Sequence, residues 1–409
     1  GGNRSAWGGN RSAWGGNRSA WGGNRSAWGA PIASGDGQVI IYNINDILAD
    51  TGASSLQALT SFPTMPIWLT PVGQAYRFGA NADYQRNIAF SYLQGEVPGG
   101  NTYEHLLSIY YSPDDGQTWE RLNTTQDIYF NLATTAMPAS NNGEGIYFLA
   151  STVELPPFSI GWNNFGYPVF TTRPITTALA SIEGAYTAVY HYDWNNAVWH
   201  LFDTGVLTNY PDLAPVVNDL AELQYGQGYW LHATDLITLY LKPDDNGVSH
   251  PASPASLPNY PPATFYGSAT TANNLILTAG MPVVAKINDT ICGQAELQSW
   301  GDDLIYKIQV ASGTGGNCGI LGQEVTLTIN DYMVSEQPVW DNRQAQYHPL
   351  SLDAIPPVLS LPTDMTIEAT SAIGAVVNFD VSATDAVDPN PTVSCSPASG
   401  STFVLDTTP

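Results

Sequence analysis

Between Gln38 and Glu154 the apolar residues come in short alternating runs: QVIIYNI, PIWLT, AYRFGA, NIAFSYL, LLSIYYS and GIYFLASTVEL. Gly, Asn, Pro and Asp separate the runs. A side-chain period of two suits strands, and the breakers suit tight turns. A chain punctuated this often cannot build long helices, so residues 30–154 read as a β-sandwich-like domain. The same rhythm returns from about Ala263 in NLILTA, PVVAKI, LIYKIQVA and EVTLTI. Composition agrees. Charged residues are only 12%, about half the usual share, whereas helices are usually rich in Glu and Lys.

Residues 1–28 follow a different rule, being four error-free copies of GGNRSAW. Each copy has two Gly and no aliphatic residue larger than Ala, so it has no apolar seam for a coiled coil. The odd period puts successive Trp on opposite faces of any continuous strand. Three forms remain. In the first, NRSAW strands are reset by each Gly-Gly and stack on each other or on other subunits. Trp7, Trp14, Trp21 and Trp28 then form a ladder near Arg4, Arg11, Arg18 and Arg25. The second is a flexible linker, and the third is an added peptide. Residues 1–29 are therefore read as an assembly segment or a linker.

The formal net charge is -24, from 12 basic and 36 acidic residues. The heptads hold four Arg and no acid, so the rest of the chain has 8 basic against 36 acidic residues, a charge of -28. That excess argues against nucleic acid and anionic membranes as partners. It fits an extracellular protein, including one that meets Ca²⁺, although no Ca²⁺ motif accompanies it and solubility alone accounts for the acidity. No segment approaches the roughly 20 apolar residues of a membrane span. The chain shows no initiator Met and no signal peptide, so secretion is inferred. The expected location is outside the cell or on a bacterial surface.

Within the first region, SPDDGQTW matches the Asp-box pattern S-x-D-x-G-x-T-W through Ser112, Asp114, Gly116, Thr118 and Trp119. It resembles the hairpin repeats of sialidase and BNR propellers. The resemblance implies a tight turn holding Asp114 and Gly116, with Trp119 packed beneath it. Propellers carry several boxes and need neighbouring blades. A single box in a body with few Arg reads as one stable hairpin.

Residues 155–242 read as a small α+β module. RPITTALASI, Arg173 to Ile182, is the clearest helix, with Pro174 in its first turn and Ile175, Leu179 and Ile182 on one stripe. VYHYDWNNAVWHLFD reads as a hairpin turning at Asn195-Asn196. Facing residues then sum to 391, pairing His191 with His200 and Tyr192 with Trp199. Tyr190, Tyr192, Trp194, Trp199 and Leu201 share one aromatic face, which is core or a contact surface. His191, Asp193 and His200 share the other, a weak metal candidate beside the ordinary reading as half-exposed histidines. With its GWN…YP start and GQGYW end, the region resembles a small module of secreted bacterial multidomain proteins that carries no established chemistry. Residues 243–262, rich in Pro and Ser, read as a semi-rigid linker.

GMPVVAKINDTICG and NCGILGQEVTLTINDYMV resemble an immunoglobulin-like module of bacterial surface proteins, covering 263–352. In that resemblance Cys292 and Cys318 are partners. Each is followed by Gly, they lie 26 residues apart on either side of a strand pair, and the compartment reads as oxidising. Such a bond stabilises by roughly 3 kcal/mol. The alternative is two buried thiols.

Residues 353–409 resemble the hyaline repeat (HYR) domain, an immunoglobulin-like sandwich of extracellular adhesion proteins. The match runs through Pro356-Pro357-Val358, ATSAIGAVVNF, ATDAVD and Val393-Ser394-Cys395 with SPASGSTF. The family continues to a second Cys, so Cys395 is expected to be unpaired or to bond another molecule, in a sandwich left incomplete. Either the chain is truncated or another molecule completes the sandwich; the terminal DTTP resembles the start of a following copy. The fold class expected is mostly β: a string of β-sandwich or immunoglobulin-like modules with one small α+β module, preceded by the heptad repeat.

No Gly-rich phosphate loop with Lys, no G-x-S-x-G and no H-E-x-x-H occurs. The carboxylates fall mostly at turns such as DDG and PDD, where they bond their own backbone. The chain is therefore read as non-enzymatic and without a cofactor. N-x-S/T sequons at Asn3, Asn10, Asn17, Asn24, Asn123 and Asn288 are glycosylation candidates. Copying of a short unit containing NRS explains the first four without any glycan. The expected function is a structural subunit of a bacterial surface filament or layer that self-associates through the repeat, with completion of the C-terminal sandwich as a second contact. The alternatives are a carbohydrate-binding adhesion protein and, third, a divergent glycosidase.

Overall fold

The structure is a computed structural model. It describes residues 32–43, 55–80, 85–244, 260–271, 276–313, 317–334, 336–352, 357–385 and 391–404. The repeat and most of the 243–262 linker lie outside the described residues. The fold is mostly β, built from many small antiparallel sheets. The described residues fall into two compact units, one within Gly1–Thr204 and Asn218–Pro258, the other within Gly205–Val217 and Asn259–Pro409.

In the first unit, two five-stranded sheets face one another. One runs Ile32–Ala33, Val39–Asn43, Arg86–Ser91, Leu132–Ala136, Thr125–Asp127. The other runs Ser55–Ala58, Thr70–Gly79, Gly145–Ser151, Leu107–Ser112, Glu120–Arg121. Alternation delivers Val39, Ile41, Ile88 and Phe90 from the first sheet, and Val72, Tyr76, Ile109, Tyr111, Tyr147 and Leu149 from the second, into one core. The second sheet also buries its other face. Ala75, Tyr110, Ile146 and Phe148 pack there beneath Phe62, Trp68 and Trp119. PIWLT, expected as a strand, is instead a turn that supplies this cover, with only Thr70 in a strand.

A second core in this unit gathers Val153, Phe165, Val169, Ile175, Leu179, Ile182, Val189, Phe202, Leu223, Tyr229 and Leu231. Its frame is a four-stranded sheet ordered Gly161–Gly166, Gly228–Ala233, Tyr186–Asp193, Val198–Asp203. The expected helix forms only at Ile175–Ala178 and is followed by a 3₁₀ turn at Ala180–Ile182. Pro174 caps it rather than entering it, because Arg173–Pro174 pairs with Glu222–Leu223 as a short ladder. Packing passes both expected edges of this module. Val153 belongs to its core, and Asp244 is held by Arg173 at 3.1 Å and by the Thr171 N–H at 3.0 Å.

Residues 205–217 group with the second unit rather than with the strands that flank them. Tyr210 stacks on Tyr347 at 4.1 Å and meets Tyr266 edge-on at 5.7 Å. Lys307 Nζ donates to the Val217 carbonyl at 2.8 Å, and Trp300 Nε1 to that of Asp212 at 3.1 Å.

That unit contains a second sandwich. Gln298–Trp300, Asp303–Val310 and Ala263–Thr271 form one sheet, closed by parallel pairing of Ala263–Thr271 with Gln346–Tyr347 and Leu350–Leu352. Thr290–Glu296, Pro282–Ile287, Thr326–Ile329 and Tyr332–Met333 form the other. Two of its hairpins turn on the same dipeptide. Asn288-Asp289 (φ 47° and 63°) and Asn330-Asp331 (φ 51° and 68°) sit left-handed in two-residue loops, as a type I′ turn requires. The expected NLILTA strand does not form at its described residues. Ile276 is exposed, and Leu277 only leans on the core.

Residues 357–404 pair as two ribbons, Val358–Ser360 with Ser382–Thr384 and Ala375–Val376 with Thr402–Phe403. Val358, Leu359, Leu361, Met365, Ile373, Val376 and Val404 are all exposed. Described residues supply no cover for them.

Candidate functional site

The Asp-box turn is built around two side chains. Ser112 Oγ donates to Asp114 Oδ1 at 2.8 Å and accepts from the Gly116 N–H at 2.7 Å. Asp114 takes the Thr118 N–H at 2.8 Å and the Thr118 hydroxyl at 2.6 Å. These bonds spend the carboxylate on its own loop, so it is not offered to a ligand. Asp115 and Gly116 are left-handed, and a Cβ on Gly116 would lie 2.8 Å from Pro63 Cβ. Trp119 meets Phe148 edge-on at 4.7 Å and donates to the Thr64 carbonyl at 2.9 Å. The arrangement clamps a loop.

Hydrogen bonds from Thr118 above all hold the Asp114 carboxyl down to about 2. The folded value lies below the unfolded one, so the contribution is full above about pH 4 and is lost as pH falls through 2. Hydrogen exchange at the Gln117–Trp119 amides should accelerate, relative to neighbouring strands, as pH drops from 4 to 2. Asp114→Asn should flatten that response. If Asp114→Asn leaves it unchanged, the assignment is wrong.

The hairpin at Tyr186–Asp203 keeps the expected register, with His191 opposite His200 and Tyr192 opposite Trp199. Its loop differs. Four residues, 194–197, turn the chain, and Ala197 rather than Asn195 or Asn196 takes positive φ, at 55°. The cause is Asp193, whose carboxylate accepts the Asn195 N–H at 2.8 Å and the Asn196 side-chain amide at 2.6 Å. Asp193 is thereby committed to the loop. His191 donates to the Gly228 carbonyl at 3.0 Å, and His200 lies 3.2 Å from Asp219. The metal candidate His191, Asp193 and His200 is therefore not assembled: the ring centroids are 6.4 Å apart, and the carboxylate faces elsewhere. Among the described residues no group of three or more His, Cys, Asp or Glu converges.

The histidine-bearing face is the one that meets the core, through Val189 and Phe202. The aromatic face looks the other way and is larger than the hairpin alone. Adjacent strands add Trp230 and His232, which the ladder places beside Tyr190 and Ala188, and Trp162, which it places one strand further out beside His232. The rings touch in sequence, mostly edge to face. Trp162 lies 5.8 Å from Tyr190 and 6.5 Å from Trp230. Tyr190 lies 6.1 Å from Trp199, Trp199 lies 5.0 Å from Tyr192, and Tyr192 lies 4.8 Å from Trp194. Tyr190 is buried; Trp162, Trp199, Tyr192 and Trp230 are half-buried; and Trp194 is 55% exposed. Alternation in GWNN and GYWLH was the available signal for Trp162, Trp230 and His232, once those strands were known to be neighbours.

Cys292 and Cys318 form a disulfide, with Cα atoms 5.6 Å apart. Cys395 carries a free thiol and is half-buried. Asn123 and Asn288 are both exposed, Asn288 at a hairpin tip. Asn3, Asn10, Asn17, Asn24 and the repeat's Arg and Trp residues lie outside the described residues.

No protein-family model matches the chain, and neither does any curated protein. Among solved structures, BcpA, the major pilin subunit of Bacillus cereus, aligns over 73% of this chain and 69% of its own, at 7% identity and a TM-score of 0.15. Likeness at that level carries no argument about fold or function.

Proposed function

We propose that this chain is a non-enzymatic structural subunit of an extracellular bacterial filament or layer, joined to its neighbours through residues 1–28. The carrying observation is the charge split, with four Arg and no acid in the repeat against 8 basic and 36 acidic residues in the rest. Bodies of like charge repel, and a cationic segment that bridges them removes that cost. The disulfide supports an oxidising compartment. The exposed apolar side chains of 357–404 are a second surface that gains from being covered. Glycans on Asn123 and Asn288 are compatible with this role, since both positions are accessible.

Removal of residues 1–28 should abolish polymers seen by negative-stain microscopy and by sedimentation, while far-UV circular dichroism of the β-modules stays unchanged. Polymers of unaltered form from the shortened chain would sink the proposal. Assembly of the full chain should also weaken as salt rises from about 0.05 to 0.5 M, because surface charges are then screened within a few ångströms.

A further inference from the structure

We infer that the aromatic stripe on the outer face of the 161–233 sheet is the docking site for a GGNRSAW copy supplied by a second copy of this chain. The inference deepens the filament reading and rests on it. Its first support is chemical. The stripe runs across four strands from Trp162 through Trp230, Tyr190 and Trp199 to Tyr192 and Trp194, with its rings tilted 60° to 89° to one another. Tyr190 is buried at the centre of this herringbone, and the half-buried Trp162, Trp230, Trp199 and Tyr192, with the exposed Trp194, offer ring faces and edges around it. A guanidinium sits over a ring face, and an incoming indole packs edge to face. Each heptad brings one Arg and one Trp, three residues apart.

Charge supplies the second support. The four strands contain no Lys or Arg; of their two acids Asp203 is buried and Asp193 lies on the opposite face, so the attraction comes from the net charge of the module. Residues 155–242 as a whole hold seven acidic residues and two basic ones, Arg173 and Lys242. Arg173 is taken up by Asp244. No Lys or Arg of the four strands themselves therefore opposes an arriving arginine. Length is the third support. Four strands about 4.8 Å apart span roughly 14 Å, and five extended residues such as NRSAW reach about 17 Å. One heptad can cross the stripe, and four copies on one chain raise the local supply of a second contact once the first has formed.

A two-heptad peptide, with a benzophenone side chain replacing its first Trp, tests this on the full-length disulfide-bonded protein. Photocrosslinks should map to the strands at Trp162, Tyr192–Trp199 and Trp230. A peptide with both Arg changed to Ser should lose about tenfold in yield. Trp194→Ser combined with Trp199→Ser should lose as much. Asn164→Lys, at an exposed position opposite Trp230, adds a cation to the stripe without touching the core and should weaken crosslinking similarly. Crosslinks on the repeat itself, crosslinks on any other surface, or full yield with Asn164→Lys would overturn the inference. So would a stripe that binds soluble oligosaccharides and takes no peptide. If residues 1–28 prove necessary for polymers while stripe variants polymerise normally, the docking site is wrong and the filament reading stands. If the full chain never polymerises, the filament reading fails, and the crosslinks still report on the stripe.

Discussion

Replacing Gly319 by alanine is expected to destabilise the 263–352 sandwich by about 3–5 kcal/mol, among the largest single-residue effects available in this chain. A Cβ on Gly319 would lie 2.0 Å from Cδ1 and 2.1 Å from Nε1 of Trp340. Neither side can retreat cheaply. The Gly319 N–H donates to the Ala311 carbonyl at 3.0 Å, and its own carbonyl accepts the Gly313 N–H at 3.0 Å. The indole is 4% exposed and donates to the Val310 carbonyl at 3.0 Å. Moving it breaks a buried hydrogen bond and opens the core beside Cys318. Hydrogen exchange along Asp303–Val310 in the full chain measures the effect locally, which avoids treating a multi-unit chain as one transition. Trp340→Ala alone should cost about 3–5 kcal/mol as a cavity. Adding Gly319→Ala to it should then cost little, because the clashing ring is gone. Full additivity would show that the contact is not the cause.

The neighbouring disulfide sets a scale for that number. Closing a 26-residue separation between Cys292 and Cys318 is worth about 3 kcal/mol on the chain-entropy account. The glycine after each cysteine has its own steric reason. A Cβ on Gly293 would lie 2.5 Å from the Gln309 carbonyl oxygen. The Cys-Gly pairs are therefore as much about close backbone approach as about the bond they accompany.

Much of this was legible in the sequence, for reasons that differ by residue. The sandwich at 30–154 follows from its two-residue period, yet strand order does not. Val39–Asn43 pairs with Arg86–Ser91 across an intervening sheet, and nothing local specifies that. The register at His191 and His200 was readable because a hairpin's centre fixes it whatever the turn type. The turn type was not readable, since one carboxylate, Asp193, moved the left-handed position onto Ala197. Which face is inward was also hidden, because Val189 and Phe202 on one side and Tyr190 and Leu201 on the other are all buried. A period of two gives no answer when both faces are apolar. The stripe needed Trp162 and Trp230 from strands distant in sequence, so two of its six rings could not be named in advance. The passage of residues 205–217 to the second unit left no sequence signal, since Tyr210 finds its partners at Tyr266 and Tyr347.

Arg173→Ala should cost about 3–5 kcal/mol, and the reason lies in the carboxylate it abandons. Arg173 and Asp244 have side chains only 14% and 9% exposed. Arg173 donates to Asp244 at 3.1 Å and to the Lys242 carbonyl at 2.5 Å, while Asp244 also accepts the Thr171 N–H at 3.0 Å. The group ties the last residues of the module to the loop that leads into its short helix. Without Arg173 the Asp244 carboxylate is left with one backbone partner in a site with little water, and a buried charge so placed is costly. Asp244→Asn should cost less than Arg173→Ala, because the amide oxygen still takes the Thr171 N–H and the arginine keeps the Lys242 carbonyl. The double change Arg173→Met with Asp244→Leu should cost less than Arg173→Ala alone, since two apolar groups leave no orphaned ion. Exchange protection at Tyr240–Leu241 and their partners Val153–Glu154 reads all three. If the double variant is instead the least protected, the ion pair is worth more than its desolvation, and these charges hold the module's end in place by attraction rather than merely tolerating their burial.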